Sequence, residues 1–420
     1  MRVVMLGLAL AVLIARPAGA GRMLYATAAS DDRIDGFCLR RNGSIEGSPR
    51  VRTSIRGTQP RRVVPADGFN GAADGVDDVL YVVEADRVEA FAIGNNGGLG
   101  QFLGQTKPRA RGGARDAAIS TTTTPRMLYV PDRSLSRIVG HPLDDQGRPA
   151  EDFTTCIQAD VGASLQNLVI NGDKLYVSMS SGSGRIQVFG IAADGQLFGA
   201  ENPPLPPDTP LTQICGSSGI DPDGKRSEPT VAFSERRKIA DVKSFVIVGN
   251  LLYAEDRGRR RIRAFELLAD GNFPAPTPDP KPNRPNRVIW PAAVSKTGRV
   301  ANYQQILHFR SAILGTQFFR GRIDSYRLEA DGSLPKRVTR VSDEDLRLTP
   351  VRLAAAENLS GTGATVYVAS GEFDRIIAYR LDGNGALEGK GLQPFSQTSE
   401  QKDSFPSDVA VAMLREGCPD

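Results

Sequence analysis

Histidine and lysine are scarce in this chain of 420 residues. It contains two histidines, His141 and His308, and four cysteines, none of them in a CxxC pair. A zinc or haem site needs several such ligands close together, so the sequence gives no support for either. Arginine outnumbers lysine 42 to 10, and no basic block is interleaved with aromatic residues. The net charge of +4 therefore does not indicate a nucleic-acid-binding face.

Long hydrophobic runs are also missing, with one exception near the start. The apolar run Val3–Ala15 follows Arg2 and precedes the small residues Ala18-Gly19-Ala20. This layout is typical of a secretory signal peptide and is short for a membrane-spanning helix, so we predict cleavage after Ala20. Residues 1–20 are then a signal peptide and residues 21–420 one mature domain without a transmembrane segment. We expect it in the periplasm or outside the cell.

Helical periodicity of useful length is absent, which predicts an all-β protein. The sequence also lacks a Ser-His-Asp or Cys-His arrangement, a phosphate-binding loop and a dinucleotide-binding fingerprint.

What the chain does contain is one five-residue motif, called the arginine word below, that occurs seven times. It consists of an arginine, a β-branched residue, two spacers and an aromatic residue or histidine. The copies are RIDGF from 33, RVEAF from 87, RIVGH from 137, RIQVF from 185, RIRAF from 261, RIDSY from 322 and RIIAY from 375. A Leu-Tyr pair or an equivalent stands about eight residues before each word. A glycine follows ten residues after each arginine, at Gly43, Gly97, Gly147, Gly195, Gly271, Gly332 and Gly385.

These runs predict strands, because β-branched and aromatic residues bounded by Gly, Asp and Asn favour extended backbone. The recurring glycine supplies the positive φ of a tight hairpin turn. Apolar segments such as NLVI (167–170) and SFVIV (244–248) add a fourth strand to each unit. Seven units of four strands predict a seven-bladed β-propeller. The segment FPSDVAVAML (405–414) has no unit after it, so we expect it to complete the first blade and close the ring.

Four cysteines in an exported chain permit two disulfides and three pairings. Cys38 ends a strand of the first blade and Cys418 follows the closing strand, which favours Cys38–Cys418. Cys156 and Cys215 lie in consecutive units and form the natural second pair. Two long Pro-rich connections, 199–240 and 274–300, are candidates for contact with a partner. The alternative is that they are surface loops without a binding role.

The seven repeated arginines follow loops that carry acidic residues in five units. Because the pattern recurs at every blade, we predict salt bridges between blades, with an anion-binding ring as the alternative. The residues are Arg33, Arg87, Arg137, Arg185, Arg261, Arg322 and Arg375.

Two acidic, glycine-rich segments, 67–78 and 221–224, offer oxygen ligands of the kind that calcium prefers. Ordinary hairpin turns use the same residues, and neither segment has EF-hand spacing. We therefore expect no cofactor, with calcium as a weaker alternative.

Polar residues cluster where the inner strands are predicted to begin, which places them at one mouth of the central channel. The predicted ligand-binding residues are Arg61, Arg62, Arg115, Gln166, Asn167, Lys243, Gln304 and Arg352. If the protein is a hydrolase, Asp116 or Asp408 would act as general base while arginines polarise the carbonyl group. The alternative to a ligand site is that these polar residues only satisfy one another's hydrogen-bonding groups in a water-filled channel.

The repeat resembles that of the lactonase-type propellers, the family of 6-phosphogluconolactonase and of the fungal carboxymuconate-cyclising enzyme. The resemblance extends from Leu24 to Leu414 and implies seven blades with a ligand site at the channel mouth. In that family a Gly-Pro-Arg-His segment precedes a Pro-Asp-Gly turn. The nearest segment here is QPRRVVPADG (59–68), in which Pro60 and Arg61 match and Arg62 stands where the family has histidine.

The missing histidine favours a non-catalytic binding or scaffold protein of the cell envelope, whose partner is a small anionic ligand or an envelope protein. The alternative hypothesis is a hydrolase of a lactone or related cyclic ester. We expect a monomer.

Overall fold

Seven four-stranded antiparallel sheets make up the fold in the computed structural model. The residues it describes are 21–69, 77–107, 114–159, 164–180, 186–198, 242–256, 261–273, 287–289, 303–335, 339–342, 350–371, 374–388, 396–398, 406–416 and 418.

Each sheet is one blade, and the strands are numbered in chain order. Blade 1 contains β1 (Gly21–Ala28), β2 (Arg33–Cys38), β3 (Val51–Ser54) and the last described strand, β28 (Val409–Leu414). Blade 2 contains β4 (Arg62–Asp67), β5 (Asp77–Val83), β6 (Val88–Ile93) and β7 (Leu99–Gln105). Blade 3 contains β8 (Ala118–Ser120), β9 (Met127–Asp132), β10 (Arg137–Pro142) and β11 (Thr155–Gln158). Blade 4 contains β12 (Leu165–Asn171), β13 (Lys174–Met179), β14 (Ile186–Ile191) and β15 (Leu197–Phe198).

The remaining blades repeat this plan. Blade 5 contains β16 (Phe245–Val248), β17 (Leu251–Asp256), β18 (Arg261–Glu266) and β19 (Arg287–Ile289). Blade 6 contains β20 (Tyr303–Phe309), β21 (Ala312–Gln317), a short 3-10 helix (Phe318–Arg320), β22 (Arg322–Arg327) and β23 (Arg340–Val341). Blade 7 contains β24 (Pro350–Glu357), β25 (Ala364–Ser370), β26 (Arg375–Leu381) and β27 (Ser396–Gln397).

In blades 2 to 7 the strands follow chain order from the centre outwards, whereas blade 1 has β28 innermost, followed by β1, β2 and β3. Innermost strands of neighbouring blades contact one another around the channel. The Leu-Tyr segments form the second strand and the arginine words the third, as predicted. All seven recurring glycines have positive φ, between 74° at Gly332 and 84° at Gly195. The seven-bladed, all-β architecture predicted from the repeats is therefore confirmed.

Blade 1 is closed by the two ends of the described chain. Strand β28 pairs with β1, with Leu24 opposite Val411. A disulfide joins Cys38 on β2 to Cys418 beyond β28, with 5.8 Å between the Cα atoms. Both the closure and this disulfide were predicted. Cys156 is also in a disulfide, but Cys215 lies outside the described residues.

The hydrophobic core is divided among the spaces between blades. Seven clusters of buried residues each draw on two adjacent blades. Val79 of blade 2 and Leu128 of blade 3 belong to one of these clusters and are almost fully buried. A blade buries its faces only against its neighbours, which explains why the ring must close.

A hydrogen bond that the sequence did not predict links most neighbouring blades. The tyrosine of the Leu-Tyr pair donates its hydroxyl proton to the carbonyl oxygen of the recurring glycine in the next blade. Three of these bonds measure 2.6 Å from Tyr25 to Gly97, 2.8 Å from Tyr81 to Gly147 and 2.9 Å from Tyr367 to Gly43. The same bond joins Tyr129 to Gly195, Tyr176 to Gly271 and Tyr253 to Gly332. Blade 6 has Ile313-Leu314 in this slot.

The prediction of salt bridges between blades by the repeated arginines is wrong for those whose ion pairs are described. Arg33 pairs with Asp31 and Asp35, Arg87 with Asp86, Arg137 with Asp132 and Arg322 with Asp324. Each pair lies within one blade, because the hairpin places the arginine next to acids of its own strand, the preceding strand or the turn. Arg137, for example, stands directly opposite Asp132.

Several predicted segments lie outside the described residues. They are the signal peptide 1–20, the connection 199–240, the connection 274–300 apart from β19, residue Arg185 and the acidic segment 221–224.

Candidate functional site

The predicted site residues lie just before the inner strands or within their first three residues, at one end of the channel. Contacts between consecutive blades bring them together there. Lys243 donates from Nζ to Oε1 of Gln304 at 3.1 Å. Arg115 donates from Nη1 to Oε1 of Gln166 at 3.3 Å.

Asp116 is fully buried and joins three blades. Its Oδ1 forms an ion pair with Arg62 of blade 2 and accepts from the backbone N–H of Ala117 at 2.7 Å. Its Oδ2 accepts from Nδ2 of Asn167 at 2.6 Å and from the backbone N–H of Leu168 at 2.9 Å, both in blade 4. Four donors occupy this carboxylate, so it acts as a structural anchor for the arginine and the neighbouring strand.

The same kind of bond recurs around the channel, from a polar side chain of one inner strand to a backbone N–H of the next. Oδ2 of Asp408 accepts from Val63 at 2.9 Å, and Oδ1 of Asn167 accepts from Phe245 at 3.3 Å. Oγ of Ser244 accepts from Ile306 at 3.1 Å, and Oε1 of Gln305 accepts from Leu353. Several candidate site residues thus hold the inner strands in register.

Asp408 differs from Asp116 because fewer donors reach it. It is 4% exposed and stands in the fields of Arg62 and Arg352. Burial raises the pKa of this carboxyl group, while the two arginines and the backbone N–H groups of Val63 and Val409 oppose the increase.

Among the described residues at the mouth, arginines outnumber carboxylates. Burial lowers the pKa of Arg62 to about 10, and the charge of Arg352 adds to this effect while Asp408 opposes it. Burial also lowers the pKa of Arg61 and Arg115, and the latter is lowered further by the charges of Arg61 and Arg352. Such shifts are expected where guanidinium groups crowd together with little water to screen them.

Sequence reasoning missed Arg133. It lies in the turn between β9 and β10, and its Nε donates to Oγ of Ser164 at 2.9 Å. Burial lowers its pKa to about 10, and the charges of Arg115 and Arg61 add to this. The prediction considered only the starts of inner strands, whereas the turns between second and third strands lie at the same end of the blades.

A pair of buried carboxyl groups lies beside the segment around Arg56, which precedes Arg61 and Arg62 in the chain. Glu89 accepts from the backbone N–H of Arg56 at 3.1 Å with each carboxylate oxygen. Glu84, also fully buried, lies beside it. Burial first, and then the charges of Glu89 and Asp86, raises the pKa of Glu84 to about 9. Burial therefore favours the neutral form of the Glu84 carboxyl group.

Neither histidine lies at the mouth. His141 is buried on the third strand of blade 3, where its Nδ1 is 2.9 Å from the carbonyl oxygen of Ala150. His308 is near the far end of β20, and burial lowers its pKa. Among the described residues no group of three or more His, Cys, Asp or Glu side chains is placed to hold a metal ion. Helices long and apolar enough to cross a membrane are absent from the described part of the chain.

Comparison with solved structures gives the same fold. A putative 6-phosphogluconolactonase from Bacteroides fragilis is 14% identical, with a TM-score of 0.62 over 94% of this chain and 98% of that one. The periplasmic gluconolactonase PpgL of Pseudomonas aeruginosa is 15% identical, with a TM-score of 0.63 over 94% and 99%. A putative 6-phosphogluconolactonase from Bacteroides uniformis is 15% identical, with a TM-score of 0.60 over 94% and 100%.

No protein-family model and no curated protein matches the sequence. The structural neighbours confirm the predicted resemblance at the level of fold: the chain has the seven-bladed propeller of the lactonase-type proteins.

Proposed function

We propose that the protein binds a small organic anion at the mouth of its central channel, where the described residues include five arginines and two carboxylates. This excess of positive charge is the observation that supports the proposal. Asp116 is already saturated by its own contacts, so it offsets little beyond Arg62. An incoming anion would stabilise the charged form of the crowded guanidinium groups and raise their pKa. This stabilisation contributes favourably to the free energy of binding.

Sugar acids are the class of anion that we favour. Two of the structural neighbours are a gluconolactonase and a putative 6-phosphogluconolactonase. The amides of Gln166 and Gln304, together with Lys243, offer donors and acceptors for sugar hydroxyl groups beside the arginines. Protein binding through the long connections remains the alternative for the binding hypothesis.

Isothermal titration calorimetry with gluconate, on the oxidatively folded chain from Gly21, tests the proposal. We expect saturable binding that weakens with added salt and falls about tenfold in Arg352→Gln, since a charge-assisted bond contributes about 1.5–3 kcal/mol. Arg50→Gln is the matched control, because Arg50 forms a surface ion pair with Glu46 outside the mouth. Absence of heat from the folded wild type with gluconate and other sugar acids would reject the proposal.

Lactone hydrolysis is the second candidate, and Asp408 is the observation that favours it. A buried carboxylate with a raised pKa is suited to take a proton from water, and Arg62 and Arg352 would stabilise the developing oxyanion. The change Asp408→Asn keeps an oxygen that can accept from Val63 but removes the base. Turnover of gluconolactone in a pH-stat that disappears in this variant would establish an enzyme, whereas a wild-type rate equal to the uncatalysed rate would exclude this reaction.

We also propose that the protein is exported to the periplasm or beyond. The Cys38–Cys418 disulfide and the periplasmic neighbour support this location. Cell fractionation followed by N-terminal sequencing tests it: a mature protein beginning at Gly21 is the expected result, and an intact Met1 in the cytoplasm would contradict it.

A further inference from the structure

The end of the closing strand β28 is fastened to blade 2 on the side of the ring opposite the channel mouth. The backbone N–H of Met413 donates to Oδ2 of Asp77 at 2.8 Å. Two residues further along the chain, Arg415 forms an ion pair with Asp78 at 3.3 Å. We call the contacts of residues 413–416 with blade 2 the seam.

The chain beyond Arg415 is held at two further points. The backbone N–H of Glu416 donates to the carbonyl oxygen of Asn95 at 3.1 Å, and Oε1 of Glu416 accepts from Nδ2 of Asn95 at 3.2 Å. Cys418 is joined to Cys38 of blade 1 by the disulfide. Because this covalent bond retains the chain end, loss of the seam contacts would open residues 413–416 locally without releasing them from the ring.

Three carboxyl groups crowd the blade 2 side of the seam. Asp67, the last residue of β4, stands directly opposite Asp77, the first residue of β5, and Asp78 follows in the chain. Asp78 has donors of its own, since its Oδ2 accepts from the backbone N–H groups of Gly68 and Phe69, each at 3.1 Å. Three adjacent carboxylates repel one another when all of them are charged.

Asp77 is the member of this group whose ionisation is displaced. Burial raises its pKa to about 6. The bond from Met413 opposes the increase, whereas the charges of Asp67 and Asp78 add to it. The charge of Asp77 also reaches Tyr25 on β1, where burial raises the pKa of the hydroxyl group and this charge raises it further.

Three arginines lie around the seam, and each of the following contacts goes to a group other than the Asp77 carboxylate. Arg415 pairs with Asp78, Arg126 donates from Nη1 to the carbonyl oxygen of Asp67 at 3.1 Å, and Arg22 donates from Nε to Sδ of Met413 at 3.1 Å. A neutral Asp77 can still accept from Met413 through its carbonyl oxygen, and it removes one of three neighbouring negative charges.

We propose that Asp67, Asp77 and Asp78 form a proton-sensitive clamp on residues 413–416, which holds the seam most firmly when Asp77 is protonated. An ordinary aspartate ionises near pH 3.8, so the closed seam binds more protons than the open one between this value and about pH 6. The stabilisation is complete below about pH 3.8 and is lost as the pH rises through about 6. Acidic surroundings therefore tighten the closure of the ring.

Hydrogen–deuterium exchange of residues 409–416, measured by mass spectrometry on the oxidatively folded chain from Gly21, tests the clamp. Protection factors at pH 5 and pH 8 are compared after correction for the intrinsic pH dependence of amide exchange. For the wild type we expect protection to fall about tenfold between these values, because a pKa that moves from 3.8 to about 6 changes the opening equilibrium by about that factor.

Two variants assign the effect to Asp77. Asp77→Asn retains an oxygen that accepts from Met413 but cannot ionise, so its protection should not depend on pH. Asp173→Asn is the matched control, because the Asp173 side chain is 70% exposed and pairs with Lys174 in blade 4. This control should reproduce the tenfold change of the wild type.

Equal protection of residues 409–416 at pH 5 and pH 8 in the wild type would overturn the clamp, whether or not the variants fold. A pH dependence that persists in folded Asp77→Asn would also overturn it, since another group would then be responsible. Strand β25 of blade 7 is the internal reference. A parallel loss of protection there would contradict the clamp as well, because it would mean unfolding of the whole ring instead of opening at the seam.

Discussion

The hydroxyl group of Tyr81 in blade 2 donates to the carbonyl oxygen of Gly147 in blade 3, at 2.8 Å. Both residues belong to the repeat, one to the Leu-Tyr pair and the other to the turn after the arginine word. The repeat thus carries its own means of joining one blade to the next, and five equivalent bonds stand at other boundaries.

Replacing Tyr81 by Phe tests the importance of this bond. The change leaves the carbonyl oxygen of Gly147 unpaired in a buried position, so we expect the free energy of unfolding to fall by about 1–3 kcal/mol. Urea denaturation followed by fluorescence measures the change. An unchanged midpoint would show that water or another donor satisfies the glycine carbonyl equally well.

Asp116→Asn should lower the stability of the propeller and also weaken ligand binding at the channel mouth. The amide retains one acceptor oxygen but replaces the other with a donor that faces the donors of the neighbouring residues, and the ion pair with Arg62 is lost. Breaking a buried pair by removing one partner typically costs about 3–5 kcal/mol. Thermal unfolding and gluconate titration should therefore both be impaired. A normal melting temperature with lost ligand binding would instead assign Asp116 a direct role in the site.

Ring closure depends on the bond between Cys38 and Cys418. Replacing both residues by alanine should lower the free energy of unfolding by about 2–5 kcal/mol, because the disulfide restricts a loop with a sequence separation of 380 residues. Guanidinium denaturation of the oxidised proteins measures the difference, and Cys156 stays intact in both. Equal midpoints would mean that the pairing of β1 with β28 closes the ring alone.

Glu84 makes stability depend on pH. Its pKa rises from an ordinary value of 4.5 to about 9 in the folded protein, so the folded state binds more protons between these values. The contribution to stability is complete below about pH 4.5 and declines as the pH rises towards 9, by at most ~1.4 kcal/mol per pH unit. Arg87 and Arg56 face the pair and moderate the effect.

Glu84→Gln should flatten this dependence, since the amide needs no proton to remain neutral. Melting temperatures from pH 5 to pH 9 provide the measurement, with Glu46→Gln, at a half-buried residue that pairs with Arg50, as the control. Parallel curves for wild type and Glu84→Gln would contradict the shifted ionisation.

The strands and their order were predictable because local residues specify them. RIDGF and LY carry strand propensity, and Gly43 fixes a turn within a few positions. The closing strand followed from counting units, and Cys38–Cys418 followed from the closure. Contacts across blades were harder to predict. Tyr81 and Gly147 are 66 residues apart, and nothing local to either residue indicates the other.

The site was predictable only in outline. Strand starts such as those near Arg62 and Asp408 converge in any propeller, so their meeting at the mouth follows from the fold. Their individual contacts depend on side-chain geometry. Asp116 was expected to be available for chemistry, yet four donors surround it. Arg133 belongs to a turn of blade 3 and reaches the mouth only through Ser164, a contact without a sequence signature.

The position of the closing strand β28 in the sequence also determines when the ring can close. Strand β28 is made after every other described strand, yet it occupies the innermost place in blade 1, beside β1, which is the first described strand. Until residues 409–414 arrive, β1 presents an unpaired edge that can recruit other chains. Such distant pairing is slow because a very long loop must close first. We therefore expect the newly synthesised chain to pass through an open arc that is prone to aggregation until residues 409–414 pair with β1.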